Sequence, residues 1–541
     1  MKYLITMILL ALASGVLAQP VEEWVARYNG PADGGDGAYA LAVDAEGNVY
    51  VTGGSEDIGS DADYLTIKYD ANGNELWAAR YNGLGIRWDR AQALALDNER
   101  NVYVTGYSYG SGTDLDMVTL RYDEQGNELW VARYNGPGNG ADRAYDLVIG
   151  ASGNVYVTGY STGSGSYDDY TTIKYDADGN ELWTARYDGP ANDDDWAFDM
   201  AIDTSGNIYV TGFSTASGSF GDHTDCATIK YDASGDTLWV RRYDGGDLDD
   251  RAVALALDAC SNVYVTGSSG EDYVTIKYDT NGNPLWLRRY EGPTGSSDNC
   301  ATAITVDASG NAYVTGYSCD SINYSEDYAT IKYDPNGNEL WVARYNGPGN
   351  SWDFAYALAV DNAGNVYVTG VSWHWDYGGD YLTVKYNSNG NQLCMARYDG
   401  PGNDNDEAFA LAVDASGNVY VTGWSTGSGT GFDYATIKYS QPTGVEEQLA
   451  DNIMPGGFRL TCKPNPFNAS TTIMYSLSEA GEVCLSIYNL GGQLIETLVE
   501  DYNKAGEYEI LWDAADYCSG IYFYKLTAGD YTETRSMTLL K

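Results

Sequence analysis

The sequence predicts an all-β protein: an eight-bladed β-propeller closed by its N-terminal strand, followed by a small C-terminal Ig-like β-sandwich. Three observations predict it. A four-segment unit recurs eight times between residues 21 and 440. Each segment is short, rich in Val, Ile, Thr, Tyr and Trp, and bounded by Gly, Asn or Asp. Beyond residue 440 the repeat stops and a different alternating pattern begins.

Taken from the start, Met1-Lys2-Tyr3 precedes the apolar run Leu4–Leu12 and the small-residue stretch ending Val16-Leu17-Ala18. A basic start, a short apolar run and small residues before the cut read as a secretory signal over residues 1–18. That run is too short to span a bilayer, and no later stretch has the apolar length of a membrane helix. Residues 19–440 form the repeat region. Its first segment recurs at Ala38–Asp44, Ala91–Asp97, Ala144–Gly150, Ala197–Asp203, Ala252–Asp258, Ala301–Asp307, Ala355–Asp361 and Ala408–Asp414. A G-N-V-Y-V-T-G segment follows (Gly47–Gly53), then D-Y-x-T-I-K-Y-D (Asp63–Asp70 in the first copy), then E-L-W-V-A-R-Y (Glu128–Tyr134 in the second).

Four β-rich segments per unit predict four strands. The turns Asp44–Asn48 and Asp70–Asn74 place Gly where a tight hairpin needs positive φ, so they join antiparallel neighbours. A single four-stranded sheet leaves both faces wet, so copies must stack face to face, and a period near 53 residues fits a propeller blade. The Trp of the fourth segment recurs at 24, 77, 130, 183, 239, 286 and 341, and Cys394 takes the eighth place. Trp24–Tyr28 is a fourth segment standing alone, and the last copy ends after its third segment, Tyr434–Tyr439. The lone strand therefore completes the last sheet.

The phrases VDASGNVYVTG and DYATIKYDxxGNELWVARY resemble the bacterial β-propeller repeat family labelled SBBP, across about residues 21–440. The resemblance implies a propeller and no settled chemistry. Residues 441–457 read as a polar linker. Residues 458–541 carry alternating segments at Thr471–Leu477, Val483–Asn489, Tyr508–Trp512, Ile521–Thr527 and Thr532–Leu540, the pattern of a small sandwich. Lys463-Pro464-Asn465-Pro466-Phe467-Asn468, Ala505–Asp513 and Ser519-Gly520-Ile521-Tyr522 resemble the C-terminal sorting domains of type IX secretion, and equally the Ig-like domain of flagellar hook-capping proteins. The sorting resemblance implies the outer-membrane secretion machinery as a partner and a secreted or cell-surface location.

Composition narrows the partners. Acidic residues number 77 against 30 Lys and Arg, a formal charge of −47. Such a polyanion is repelled by nucleic-acid phosphates and by anionic lipid. Two histidines make a His-rich metal centre or a Ser-His-Asp triad a poor fit. Eight cysteines without CxxC spacing suggest no zinc knuckle, and their pairing is not readable.

The long connections all fall on one rim, which carries Trp88, Trp196, Trp352, Trp373, His374, Trp375 and Trp424 together with Tyr109, Tyr167 and many Asp. Exposed aromatics beside carboxylates suit a polyol or glycan, the ring stacking on apolar sugar faces and the carboxylate accepting hydroxyls. The Asp residues before the first and third strands recur in every copy, so loop-end capping is expected of them rather than catalysis. Asp176–Asn180 opens like a calcium loop but lacks its acidic position five and its Glu at twelve, so a hairpin turn is expected. No cofactor is assigned, and calcium at the acidic rim stays open with no residue attached to it. The expected protein is a non-enzymatic binding scaffold. An extracellular enzyme, polysaccharide-active or quinoprotein-like, and a structural surface protein are the alternatives.

Overall fold

The computed structural model describes residues 20–440, apart from 85–86, 166, 219–220, 247, 294–297, 321–324 and 375–377. It also describes 459–539, apart from 464–469, 478–479, 490–493, 515–516, 518–519 and 529–530. The signal segment, the linker, Cys518 and Trp375 lie outside the described residues. The described chain is all-β, with no helix, and falls into two compact units, Met1–Pro442 and Thr443–Lys541.

The first unit is built from four-stranded antiparallel sheets of the kind that make propeller blades. Sheet one runs in chain order through Asp36–Val43, Val49–Asp57, Ser60–Tyr69 and Glu75–Tyr81. Sheets two to seven repeat it, opening at Asp89, Asp142, Asp195, Asp250, Asn299 and Asp353. Sheet eight takes Asp406–Val413, Val419–Thr426 and Phe432–Ser440, and its fourth strand is Val21–Tyr28, paired antiparallel to Phe432–Ser440 through Val25↔Ile437 and Tyr28↔Tyr434.

Why these segments sit where they do follows from what each buries. The second and third strands have neighbours on both edges and both faces, so Val49, Tyr50, Val51, Leu65 and Ile67 are fully buried and read as continuous β-branched runs. The fourth strand has one free edge and alternates with exposed residues. Every first strand carries a β-bulge, at Tyr39 in sheet one and at Tyr145 and Phe198 in sheets three and four. The extra residue bends the strand and re-aims its side chains.

The apolar core lies between sheets. Tyr50 and Tyr64 of sheet one pack with Val102, Val104 and Leu120 of sheet two, and Tyr420 and Tyr434 of sheet eight pack with Val49, Val51 and Ile67 of sheet one. One tyrosine at the start of each of several third strands bonds across the gap. Tyr64 donates to the Val118 carbonyl at 3.2 Å, Tyr381 to Ala435 at 3.0 Å and Tyr434 to Leu65 at 3.2 Å. This explains why Tyr outnumbers Phe by 49 to 9: the polar tip bonds the next sheet's backbone.

The second unit has a three-stranded sheet (Arg459–Lys463, Ser470–Leu477, Gly506–Asp513). Beside it is a four-stranded sheet in the spatial order Leu494–Asn503, Gly481–Asn489, Gly520–Ala528, Tyr531–Leu539. Trp512, Leu460, Ile473, Leu485, Leu526 and Leu539 form one core between them. Arg459–Lys463 and Leu494–Asn503 were not legible as strands. The latter is an edge strand, mostly exposed and acidic, so it lacks the period-two apolar signal.

Candidate functional site

The connections on the long-loop side are built on two recurring polar devices. The Asp that opens each first strand turns back on its own loop: Asp36 accepts the Gly30 N–H at 2.6 Å, and Asp142 accepts that of Gly136 at 2.7 Å. In sheet six Asn299, not Asp298, occupies this place, accepting the Ser318 hydroxyl at 2.6 Å. These carboxyls are fully buried. Burial pushes Asp142, Asp195, Asp353 and Asp406 up to about 6.

The Asp expected to cap the loop before each third strand lies instead within that strand, near its start, and departs from the capping expectation. It forms an ion pair with the fourth-strand Arg, because the guanidinium lies across the ladder from it. Arg133 reaches Asp116 at 2.8 Å, the Ser108 hydroxyl at 2.8 Å and the Tyr81 hydroxyl of the preceding sheet at 3.2 Å. Arg27 does the same with Asp433, Ser425 and Tyr398. These charges are used within the fold, as opposite charges on neighbouring strands commonly are. Lys68 likewise sits over the Tyr50 ring at 4.8 Å. The Asp176 carboxylate accepts the Asp178 and Asn180 N–H groups, each at 2.9 Å, as a hairpin turn.

The rim residues divide into three groups. Trp88 and Trp352 are 55% and 46% exposed, and Tyr167 is 60% exposed, each on a connection. The Trp373 N–H donates to the Trp352 carbonyl at 2.9 Å, so sheet seven brings those two segments together. Trp196 and Trp424 belong to strands and are packed. Trp196 stacks on Tyr160 of the preceding sheet at 4.6 Å, and Trp424 lies 4.2 Å from Phe432. His374 and His223 are also strand residues, because the ladders extend into what read as loops, pairing His374 with Gly378 and His223 with Ala216.

Sequence reasoning missed an open cleft of about 590 Å³ lined by Arg87, Tyr109, Gly110, Thr113, Asp114 and Asn139. It gathers three connections, those before and within sheet two and that leading into sheet three. The Arg87 guanidinium lies over the Tyr109 ring at 5.3 Å. Tyr109, already placed on the rim, and the neighbouring glycines were its signals in the sequence, since a bare backbone leaves room for a guest. Elsewhere, on the first strands, Asp146 and Asp199 replace the Ala of other copies. Asp146 accepts the Met200 N–H at 3.0 Å and Asp199 the Leu255 N–H at 2.6 Å. Burial, with the neighbouring Asp199 charge, drives the Asp146 carboxyl far above its ordinary range.

Two known families match parts of the chain. The secretion system C-terminal sorting domain matches residues 463–539, and the β-propeller repeat SBBP matches 183–219, 340–378 and 397–429. Residues 463–539 thus carry a type IX sorting domain and the earlier stretches carry β-propeller repeats, which marks a secreted or cell-surface protein. Among the described residues no helix is long and apolar enough to cross a membrane.

An uncharacterised WD repeat-containing protein of Acanthamoeba polyphaga mimivirus is 23% identical over 205 residues, 29% of this chain and 15% of that protein. The regulatory protein FlaEY of Caulobacter vibrioides is 25% identical over 214 residues, 33% of this chain and 21% of that protein. The matches thus span less than a quarter of either relative. A solved structure of PorZ, a surface component of the type IX secretion system of Porphyromonas gingivalis, covers 96% of this chain and 100% of its own. It does so at 11% identity and a TM-score of 0.29, a likeness too slight to bear on function.

Proposed function

We propose that residues 19–440 form an eight-bladed ring closed by Val21–Tyr28, that residues 458–541 are an Ig-like sorting domain, and that the ring is a non-enzymatic scaffold binding an extracellular glycan. Closure is supported by the pairing of Val21–Tyr28 with Phe432–Ser440 and by the packing of Asp406–Val413 against Asp36–Val43. The Ig-like reading is supported by two antiparallel sheets sharing one core.

The cleft of Arg87, Tyr109 and Asp114 carries the binding reading. It combines an aromatic face with a donor and an acceptor, the set that a sugar's apolar face and hydroxyls require. The repeated carboxylates are engaged in ion pairs and loop caps, which leaves little for acid–base chemistry. Asp146 and Asp199 are taken up by the Met200 and Leu255 N–H groups, so they too serve the fold.

A glycan array probed with the purified full chain, with and without chelator, tests the reading. Binding to a defined glycan is expected, with affinity falling about tenfold or more in Tyr109→Ala and Arg87→Ala. A blank array, or binding untouched by both substitutions, would remove it.

A further inference from the structure

His223 is one of only two histidines in the chain, and it stands on the third strand of sheet four, Gly221–Tyr231. Two residues on, Asp225 is 5% exposed. Arg242 engages one side of that carboxylate, its Nη2 lying 2.8 Å from Oδ2. The other oxygen, Oδ1, makes no hydrogen bond although it is buried, and it lies 3.5 Å from the His223 Nε2. Asp244, just beyond the fourth strand Thr237–Tyr243, adds a second carboxylate. One ligand atom from each of the three residues falls within 4.8 Å of the others.

We propose that His223, Asp225 and Asp244 form a binding site for a divalent transition-metal ion of the zinc class. A buried carboxylate oxygen without a hydrogen bond is costly, and an ion facing it removes the cost. The spacing agrees: two donors at about 2.1 Å from a tetrahedral ion lie about 3.4 Å apart, close to the observed separation of Oδ1 and Nε2. An imidazole with two carboxylates selects zinc and its neighbours, whereas calcium and magnesium take all-oxygen shells. Arg242 occupies Oδ2 and so orients Oδ1 toward the site.

Asp169, Asp188 and Asp195, and likewise Asp380, Asp399 and Asp406, make clusters at the same place between other sheets. They arise where Asp rather than Asn follows the fourth strand, and they contain carboxylates alone. They therefore serve as internal controls. His223 and Asp225 belong to sheet four, and Asp244 to the connection entering sheet five, so the ion would tie the two together. Three protein donors leave one tetrahedral position for water or an outside donor. The site is separate from the Arg87–Tyr109 cleft and does not depend on what that cleft binds.

The test is zinc binding by the full chain, stripped with chelator, kept reduced and alkylated at its exposed thiols, in competition with a chromophoric zinc indicator. One equivalent is expected, accompanied by a rise in Tm, since an ion bound only to the folded state stabilises it. His223→Gln and Asp244→Asn should each weaken that equivalent about tenfold or more and abolish the Tm response. Asp399→Asn should leave both unchanged, and millimolar calcium should not displace the zinc. Asp244 is exposed, so its substitution keeps the test valid if His223→Gln folds poorly. No zinc uptake by the parent chain, equal uptake by Asp244→Asn, or displacement by calcium would each overturn the proposal.

Discussion

The carboxyl that opens a first strand shows how one residue's burial sets a property of the whole chain. Asp142 is fully buried, bonded to the Gly136 N–H, and pushed up to about 6 by desolvation. The folded state therefore holds a proton that the unfolded chain releases near pH 4, and this group's stabilisation, complete below that point, is lost as pH rises toward 6. The hairpin carboxyls act in the opposite sense. Asp203 and Asp258 are held below their ordinary value by Asn207 and Asn262, and their contribution falls away as pH drops through that lowered range. Stability of the first unit is thus expected to peak in mildly acidic solution. In Asp142→Asn, the loss between about pH 4 and pH 6 should shrink by about 2–3 kcal/mol. Urea midpoints of parent and variant across that range check it, and parallel curves would contradict it.

At the scale of the element, the hairpin between third and fourth strands does two jobs. Its glycine takes positive φ, 82° at Gly73, and its bare Cα lets the Trp of the preceding sheet lie flat against it. A Cβ there would fall 2.6 Å from the Trp24 ring. The indole N–H then bonds the turn: Trp24 to Ala71 at 3.1 Å, Trp77 to Glu124 at 3.0 Å and Trp130 to Ala177 at 3.0 Å.

Cys394 breaks the series for a structural reason. The sheet it faces is completed by Val21–Tyr28 and has no turn at that point; Pro20 and Tyr439 stand there instead, around a small cavity beside Cys394 and Lys385. Trp130→Ala is expected to cost about 2–4 kcal/mol, through lost packing and an orphaned carbonyl. Cys394→Trp, which restores the repeat's own residue, should destabilise by about 1–3 kcal/mol through overpacking. Denaturant unfolding distinguishes the two; a stabilised Cys394→Trp would refute the account.

For the whole molecule, the contacts between sheets eight and one copy those between internal neighbours. Trp24 and Lys438 both bond the Ala71 carbonyl, as Trp183 and Lys174 both bond Ala233. Facing residues also trade size from one boundary to the next. Tyr160 stacks on Trp196, Phe213 faces Arg251 at 5.1 Å, and Trp424 lies where Gly37 leaves room, 3.4 Å from a Cβ built there. If the ring is latched in this way, deleting residues 21–28 strips Phe432–Ser440 of its partner and leaves an open edge prone to association. The deleted chain should show new protease cleavage near residues 432–440 and lower solubility. A peptide of residues 20–28 added in trans should reverse both. A deletion as stable and as resistant as the parent would show that the strand closes nothing.

Much of this was legible from the repeat alone. Period, turn glycines and β-branched runs determine four strands per copy and which strands are buried, because burial on both faces and tight turns each demand particular residue types. The lone segment at Trp24–Tyr28 and the truncated last copy announced their own pairing. The devices that decide where chemistry can occur were not legible, because they join residues far apart in the chain. Arg133 meets Tyr81 of another sheet, Asp225 turns one bare oxygen toward His223, and three separate connections enclose the Arg87–Tyr109 cleft. A linear pattern records which side chains a strand presents. Only the stacking of one sheet on the next decides which of them are spent on holding the fold and which are left for a ligand.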